Sequence, residues 1–275
     1  MSSSLESAKV IIINKINNTS TTAGTYTVNF PISQTFKKAE IALSAAFLYY
    51  SWQNVTASNN NNTFSYIFNS ITYPVNFPNG MYEVSDLNAY MQLVMQQNGH
   101  YIVNSTGVNQ YYVNIAVNPI YYTITITCTP IPSSLPTGWT NPNSIFLSGN
   151  TTSLIIPDTN MKSLTGFNAG TYGGGTALFN INAQNVANVS ISNVINFGCN
   201  MVNNSSFSNL VNVIYSFAPS VSFARQIVID RPTYAWFKIV DGAYTSITIN
   251  LVNELGNAVK PLDPNVMIKL IIRQQ

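Results

Sequence analysis

The residues able to do covalent or acid–base chemistry are few: one histidine, His100, two cysteines, Cys128 and Cys199, and nine carboxylates in 275 residues. A hydrolase needs paired carboxylates, a nucleophile with its base, or a metal cluster. His100 follows Gly99 and could in principle meet Cys128, but no third group is spaced to orient the imidazole, so His100 reads as a loop or edge residue. In "YYTITITC" Tyr122, Ile124, Ile126 and Cys128 share one strand face, which makes Cys128 a buried reduced thiol. The two cysteines could form one bridge but no disulfide framework. Glu83 and Asp86 bracket a helix start, where capping and the helix dipole account for carboxylates. Asp230-Arg231 ahead of Pro232 reads as an ion pair or turn acceptor, and Asp241-Gly242 as a turn. "DPN" at Asp263 lacks the alternating oxygen ligands of a calcium loop, and "GTYGGG" (Gly170 to Gly175) lacks the lysine and the strand-to-helix setting of a phosphate loop. The expectation is no catalytic residue, no cofactor, no metal ligand and no enzymatic activity. Sixteen tyrosines and three tryptophans keep a carbohydrate-binding β-sandwich as an alternative, although these rings fall mostly within strand patterns, where core or interface packing is the stronger reading.

Only 7% of the residues are charged and the net charge is +2, whereas 46% are apolar. An ordinary soluble domain carries roughly 25% charge. The surface must therefore be covered by Asn, Ser, Thr, Gln and Tyr, and little self-repulsion opposes association, as suits an assembly component. Basic residues cluster only at Lys37-Lys38, so specific nucleic-acid binding is not expected. The longest uncharged apolar run, Ile41 to Trp52, falls short of the ~20 residues that cross a bilayer. Met1 to Lys9 has no apolar signal core, so the chain is expected neither to span a membrane nor to be conventionally secreted. The sequons at Asn54, Asn104, Asn150 and Asn188 are then expected to carry no glycan.

The elements that must hold these residues are mostly strands. "VIIIN" (Val10 to Asn14), "TYTVNF" (Thr25 to Phe30) and "AEIALSAAFLYYSW" (Ala39 to Trp52) are rich in β-branched and aromatic residues. "TFSYIFN" and "ITYPVNF" form a further pair, with Pro74 placing its strand at an edge. Leu87, Tyr90, Met91, Val94 and Met95 have helical spacing, with Ser85 as the expected N-cap and Gly99 as the stop. Strand alternation resumes at Tyr111 to Asn118 and Tyr121 to Thr129; Pro130 to Gly149 and Ala169 to Thr176 read as excursions. In "LIIPDTNMKSLTGF" (Leu154 to Phe167) a strand end feeds one helical turn, capped by Asp158 or Thr159, with Met161, Leu164 and Phe167 pointing one way. Strands return at Asn188 to Gly198, Asn209 to Phe217 and Ala224 to Ile239. The last two, Tyr244 to Asn253 and Asn265 to Gln275, read as a hairpin joined by "ELGNAVKPLDP". Roughly ten strands without α/β alternation argue an all-β Greek-key sandwich of jelly-roll type, with one short amphipathic helix and long outer loops.

In chain order, "TYTVNFP", a long apolar strand, "FPNGMYEVSDLNAYM", "LIIPDTNMKSLTGF", "NLVNVIYSFAP" and "YTSITINLVNELGNAVKPLDPNVMIKLIIRQQ" resemble the minor capsid, or penton, proteins of virophages and Polinton-like viruses over nearly the whole chain. The resemblance implies one jelly-roll domain over residues 1–275, with insertions near 130–149 and 169–188 forming an upper tier. It implies a homopentamer at icosahedral vertices that contacts the major capsid protein and other minor capsid proteins, a virion location after assembly in the host cytoplasm, and no catalysis. It also implies that "MSSSLESAK" is an arm held by a neighbouring subunit under the shell, whose deletion weakens incorporation. The long proline-rich last connection and "GTYGGG" depart from the family's pattern. A major capsid protein of this lineage needs two jelly rolls, for which the chain is too short. The rival reading is a trimeric spike or a receptor- or glycan-binding head, which an exposed tryptophan in a shallow groove would favour.

Overall fold

A computed structural model describes residues 8–189, 194–203 and 212–274. Most of the expected N-terminal arm and parts of the strands expected from Asn188 and Asn209 lie outside the described residues. Three strands open the chain: β1 (Lys9–Asn14), β2 (Thr25–Phe36) and β3 (Ala39–Tyr49). There follow β4 (Thr63–Phe68), β5 (Ile71–Asn76), helix α1 (Val84–Gln97), β6 (Ile102–Val103), β7 (Asn109–Gln110), β8 (Val113–Asn118), β9 (Thr123–Cys128), β10 (Ser153–Ile156), the short helix α2 (Met161–Thr165), β11 (Gly170–Gly173) and β12 (Phe179–Asn182). The chain then returns to β13 (Ile195–Cys199), β14 (Val213–Phe217), β15 (Gln226–Asp230), β16 (Phe237–Lys238), β17 (Gly242–Asn253) and β18 (Met267–Gln274). It divides into two compact units, Met1–Trp52 with Ile191–Gln275, and Gln53–Ser190. The single domain expected over 1–275 is thus interrupted in sequence by a body with a core of its own.

The first unit is a jelly roll by its pairing alone. β1 pairs with β18, β2 with β17, β3 with β15 and β13 with β14, all antiparallel, so the strands of the first half match those of the second in reverse order. The same strands make two sheets, β1-β18-β3-β15 and β14-β13-β17-β2. A hairpin of paired strands rolled up produces this nesting. Alternation puts Ile41, Leu43 and Leu48 of β3 and Ile268, Leu270 and Ile272 of β18 into one core with Tyr26, Phe197, Ile247, Ile249 and Leu251 of the other sheet. Each such side chain contributes about 1.5–3 kcal/mol relative to exposure. The last two strands are correspondingly not a hairpin. β17 pairs with β13 and β2, β18 with β1 and β3, and the segment between them crosses from one sheet to the other. Alternation reports a strand's dry face but not whether its partner lies beside or opposite it.

The second unit, between β3 and β13 in sequence, holds the sheets β11-β10-β4-β5 and β12-β9-β8, with β6 and β7 as a separate pair. Pro74 lies on the edge strand β5, where its missing N–H costs no ladder bond. Helix α1 buries Val84, Leu87, Met91 and Met95, and Asn88 Oδ1 accepts the Ile115 N–H of β8 at 2.8 Å. Its N-cap is Glu83, not Ser85; the Asp86 carboxylate accepts the Glu83 N–H at 2.8 Å and so already satisfies the helix entry. Its end is a Schellman closure, the His100 N–H donating to Met95 O and the Gly99 N–H to Gln96 O. Pro130 to Gly149 carries no strand, as expected, but the excursion from Ala169 contains β11 and β12, which pair with β10 and β9. Glycine-rich composition hid backbone that completes two ladders.

Candidate functional site

Most of the chemically capable residues among those described have an ordinary structural partner. His100 lies in the connection between α1 and β6, as a loop residue should, but is only 8% exposed. Phe68 stacks on its ring at 4.2 Å between centroids, Tyr73 meets it edge-on at 4.4 Å, and the Tyr66 hydroxyl lies 2.8 Å from Nδ1. That hydroxyl accepts the Asn98 amide at 2.8 Å, and its own proton is then available to Nδ1 of a neutral imidazole. Burial lowers the His100 pKa in the same sense.

Cys128 and Cys199 are free and buried in separate cores. Burial pushes both thiols up to about 11, so they stay protonated near neutrality and are poor nucleophiles. The Cys128 thiol faces the Tyr172 carbonyl at 3.6 Å. Its strand departs from the expected pattern at one end, because Tyr122 sits in the β8–β9 turn with positive φ and is exposed, leaving Ile124, Ile126 and Cys128 as the buried face.

The carboxylates close turns and pair with cations. Asp241 accepts the Lys38 N–H at 2.9 Å, and Asp263 accepts the Asn265 N–H at 2.7 Å. Arg231 lies over the Tyr215 ring at 4.8 Å, which explains the cation beside Asp230 without the expected ion pair between them. The N-cap of α2 is Asn160, neither Asp158 nor Thr159: Asp158 pairs with Lys162 four residues on, and Thr159 Oγ1 accepts the Met161 N–H at 3.3 Å from the residue before the cap. Met161, Leu164 and Phe167 are all buried, so the strand-fed plug forms as its spacing implied. Among the described residues no group of three His, Cys, Asp or Glu could hold a metal ion, and no helix is long and apolar enough to cross a membrane. The Asn54 sequon is buried: its amide donates to Tyr82 O and Val189 O, both at 2.7 Å.

The functional candidate is a surface, formed by the outer faces of the jelly roll. On β14-β13-β17-β2 the outward positions are neutral and mostly polar, with Ile32 of β2 an exposed exception: Thr27 and Thr248 share a hydroxyl bond at 3.0 Å, and Ser216 donates to the buried Asn196 at 2.6 Å. On β1-β18-β3-β15 they are largely apolar. One row crosses the sheet through Val10, Ile271 and Ala42, the last of them fully buried, and another through Met267, Phe47 and Val228. Val10 is 53% and Val228 55% exposed, and Ile12 also faces out. Charge enters this face at Lys269 and Asp230, which share the row between the two apolar ones, and at Arg273, which binds Glu40 at 2.6 Å and lies over Trp236 at 4.2 Å. β1 and β15 are the edges of this sheet. A partly exposed apolar face that runs to unpaired edges is what an intersubunit contact uses and a solitary domain avoids. Strand patterns located these residues, but only the pairing shows that their outward sets line up in rows. None of the three tryptophans is exposed: Trp52 is buried, and Trp139 and Trp236 are half-buried.

No protein-family model matches the sequence, and no curated protein matches it. Among solved structures the fold is similar to the crystal structure of the mavirus penton protein, labelled with selenomethionine, at 8% identity and a TM-score of 0.43 over 97% of this chain and 98% of that one. It is also similar to a chain in the 3.5 Å cryo-EM structure of the Sputnik virophage, at 9% identity and a TM-score of 0.37 over 97% and 98% of the two chains. At these values neither structure assigns a role to any residue here.

Proposed function

We propose that this chain is a structural capsid subunit, a penton that closes icosahedral vertices as a homopentamer and contacts the major capsid protein in the virion, without catalysis. The carrying observation is the apolar outer face of β1-β18-β3-β15 on a jelly roll with very little charge. Roughly 25 cal/mol per Å² of apolar area is available to an association that covers such a face, and few charges need desolvation against it. The neutral Thr and Asn face opposite supplies hydrogen-bonding surface of the kind found around interface cores. The ordered sequence segments that resemble virophage pentons support the same reading.

Native mass spectrometry of the purified protein, alone and with the candidate major capsid protein, tests it. A pentamer in either condition is expected, and Val10→Lys with Val228→Lys should abolish it while leaving the melting temperature within about 2 °C, since both side chains point outward. A stable trimer in both conditions would overturn the penton in favour of a spike. That rival lacks its expected mark, an exposed tryptophan.

A further inference from the structure

The turn between β8 and β9, Pro119 to Tyr122, carries Ile120, Tyr121 and Tyr122 at 84%, 65% and 78% exposure, and Val117 on the strand below them is also exposed. No other exposed large hydrophobic residues among those described are neighbours in sequence. Single exposed apolar side chains are ordinary, but a run of three at a hairpin tip forms a patch.

The tip is braced from behind. Asn118 Oδ1 accepts the N–H groups of Ile120 at 3.2 Å and Tyr121 at 3.4 Å, while its amide donates to Asn182 Oδ1 at 3.1 Å and Thr125 Oγ1 at 3.4 Å. Thr125 Oγ1 in turn donates to Asn182 Oδ1 at 2.7 Å. Polar side chains on β8, β9 and β12 thus hold the turn, so little conformational freedom is left to lose when it is covered. They also satisfy its backbone: Pro119 has no N–H, and those of Ile120 and Tyr121 are already bonded.

These properties fit a bilayer better than a protein pocket. A protein must offer a concavity matched to the knob, whereas fluid lipid admits any convex apolar wedge. Backbone donors that enter lipid must be satisfied beforehand, as these are. Isoleucine with two tyrosines is also the mixture that settles where acyl chains meet headgroups. Charge then selects the lipid. Residues 87–157 contain no Asp, Glu, Lys or Arg. Helix α1 runs antiparallel to β8, with Gln96 Oε1 accepting the Tyr111 hydroxyl at 3.3 Å and Asn88 Oδ1 the Ile115 N–H at 2.8 Å, so its acidic start, Glu83 and Asp86, lies on the tip side. Lys162, the only Lys or Arg of residues 53–190, is paired with Asp158. An anionic headgroup would therefore find no free cation and two carboxylates behind the tip.

We propose that the β8–β9 tip inserts Ile120, Tyr121 and Tyr122 into the interface of a zwitterionic lipid bilayer. The inference does not depend on the capsid reading, because every residue it uses lies within residues 53–190.

Flotation of the full chain with vesicles of phosphatidylcholine, alone or mixed with phosphatidylserine, tests it. Binding to phosphatidylcholine is expected, and phosphatidylserine should leave it unchanged or weaken it. Ile120→Asp should lower the partition coefficient at least about tenfold, and so should Tyr121→Ser with Tyr122→Ser, each with the melting temperature within about 2 °C. Phe146→Ala, which removes an exposed ring on another loop, should leave binding unchanged. The proposal is overturned if the chain does not float with phosphatidylcholine, if binding requires phosphatidylserine, if Ile120→Asp binds as the parent does, or if Phe146→Ala weakens binding as much. Loss of the native oligomer in Ile120→Asp, with no flotation of the parent, would overturn it in favour of a protein contact.

Discussion

In the jelly roll the core is mainly aliphatic and lies between two sheets, with Ile41, Ile249, Ile268 and Leu270 meeting across it. Residues 53–190 instead pack around rings: Phe64 meets Phe77 edge-on at 5.0 Å, Tyr66 stacks on Tyr73 at 5.3 Å, and His100 sits among Tyr66, Phe68 and Tyr73. The difference goes with strand length. β2 and β17 run for 12 residues and bury or half-bury alternate positions along them, whereas β4, β5, β8 and β9 have 6 each and close their core with wide side chains, the α1 stripe and the α2 plug. The rings also bring buried polar atoms that must be paired, as Tyr66, Asn98 and His100 are.

The strongest way to break this comparison is to damage each core in turn. Leu270→Ala should cost the jelly roll about 2–5 kcal/mol, and Phe64→Ala should cost residues 53–190 about 3–5 kcal/mol. Calorimetry should show each substitution lowering a different transition; one shared transition lowered equally by both would mean that the two cores are a single cooperative body. Next come two glycines with positive φ. A Cβ on Gly24 would lie 2.0 Å from Val259 O, and one on Gly166 2.3 Å from Asn185 O. Gly24→Ala and Gly166→Ala should each destabilise by at least about 2 kcal/mol, again in separate transitions, because the left-handed conformation and the backbone clash add.

A smaller and pH-dependent effect should distinguish the aromatic core from the aliphatic one. The His100 pKa is lowered in the fold from 6.5, so the unfolded chain binds the proton more readily. Stability contributed by neutral His100 is complete above the unfolded pKa and is lost as pH falls below 6.5 toward the folded value. Melting curves on either side of that pH should show the transition of residues 53–190 falling in acid, and His100→Gln should flatten the dependence. An unchanged slope in the variant would assign the effect elsewhere. The smallest effects belong to the surface. Arg273→Ala should cost about 1 kcal/mol, having both Glu40 and Trp236 to lose, while Lys162→Ala, whose partner Asp158 is 80% exposed, should leave the melting temperature unchanged.

Much of this architecture could be read directly from residue patterns. An apolar run marked β3, alternation marked β9, β17 and β18, the 3–4 spacing of Leu87, Met91 and Met95 marked α1, and Met161, Leu164 and Phe167 marked the plug. Errors arose where one local pattern serves two tertiary arrangements. Ser85 is as good a cap as any, yet the carboxylate of Asp86 reaches the Glu83 N–H and moves the helix start. His100 beside a glycine looks like a loop residue, and only the rings of three other residues show it to be buried.

Composition and periodicity by themselves determined that this is an all-β chain with one amphipathic helix, very little charge and a sparse catalytic inventory, because these properties are set by residue type and local spacing. The tertiary structure alone decided which strands lie side by side and which face to face, that residues 53–190 have a core of their own, and that outward apolar residues of four strands line up on one face. Those outcomes depend on pairing between residues up to two hundred and more positions apart, as between Ile12 and Lys269, and no local pattern encodes such a partner.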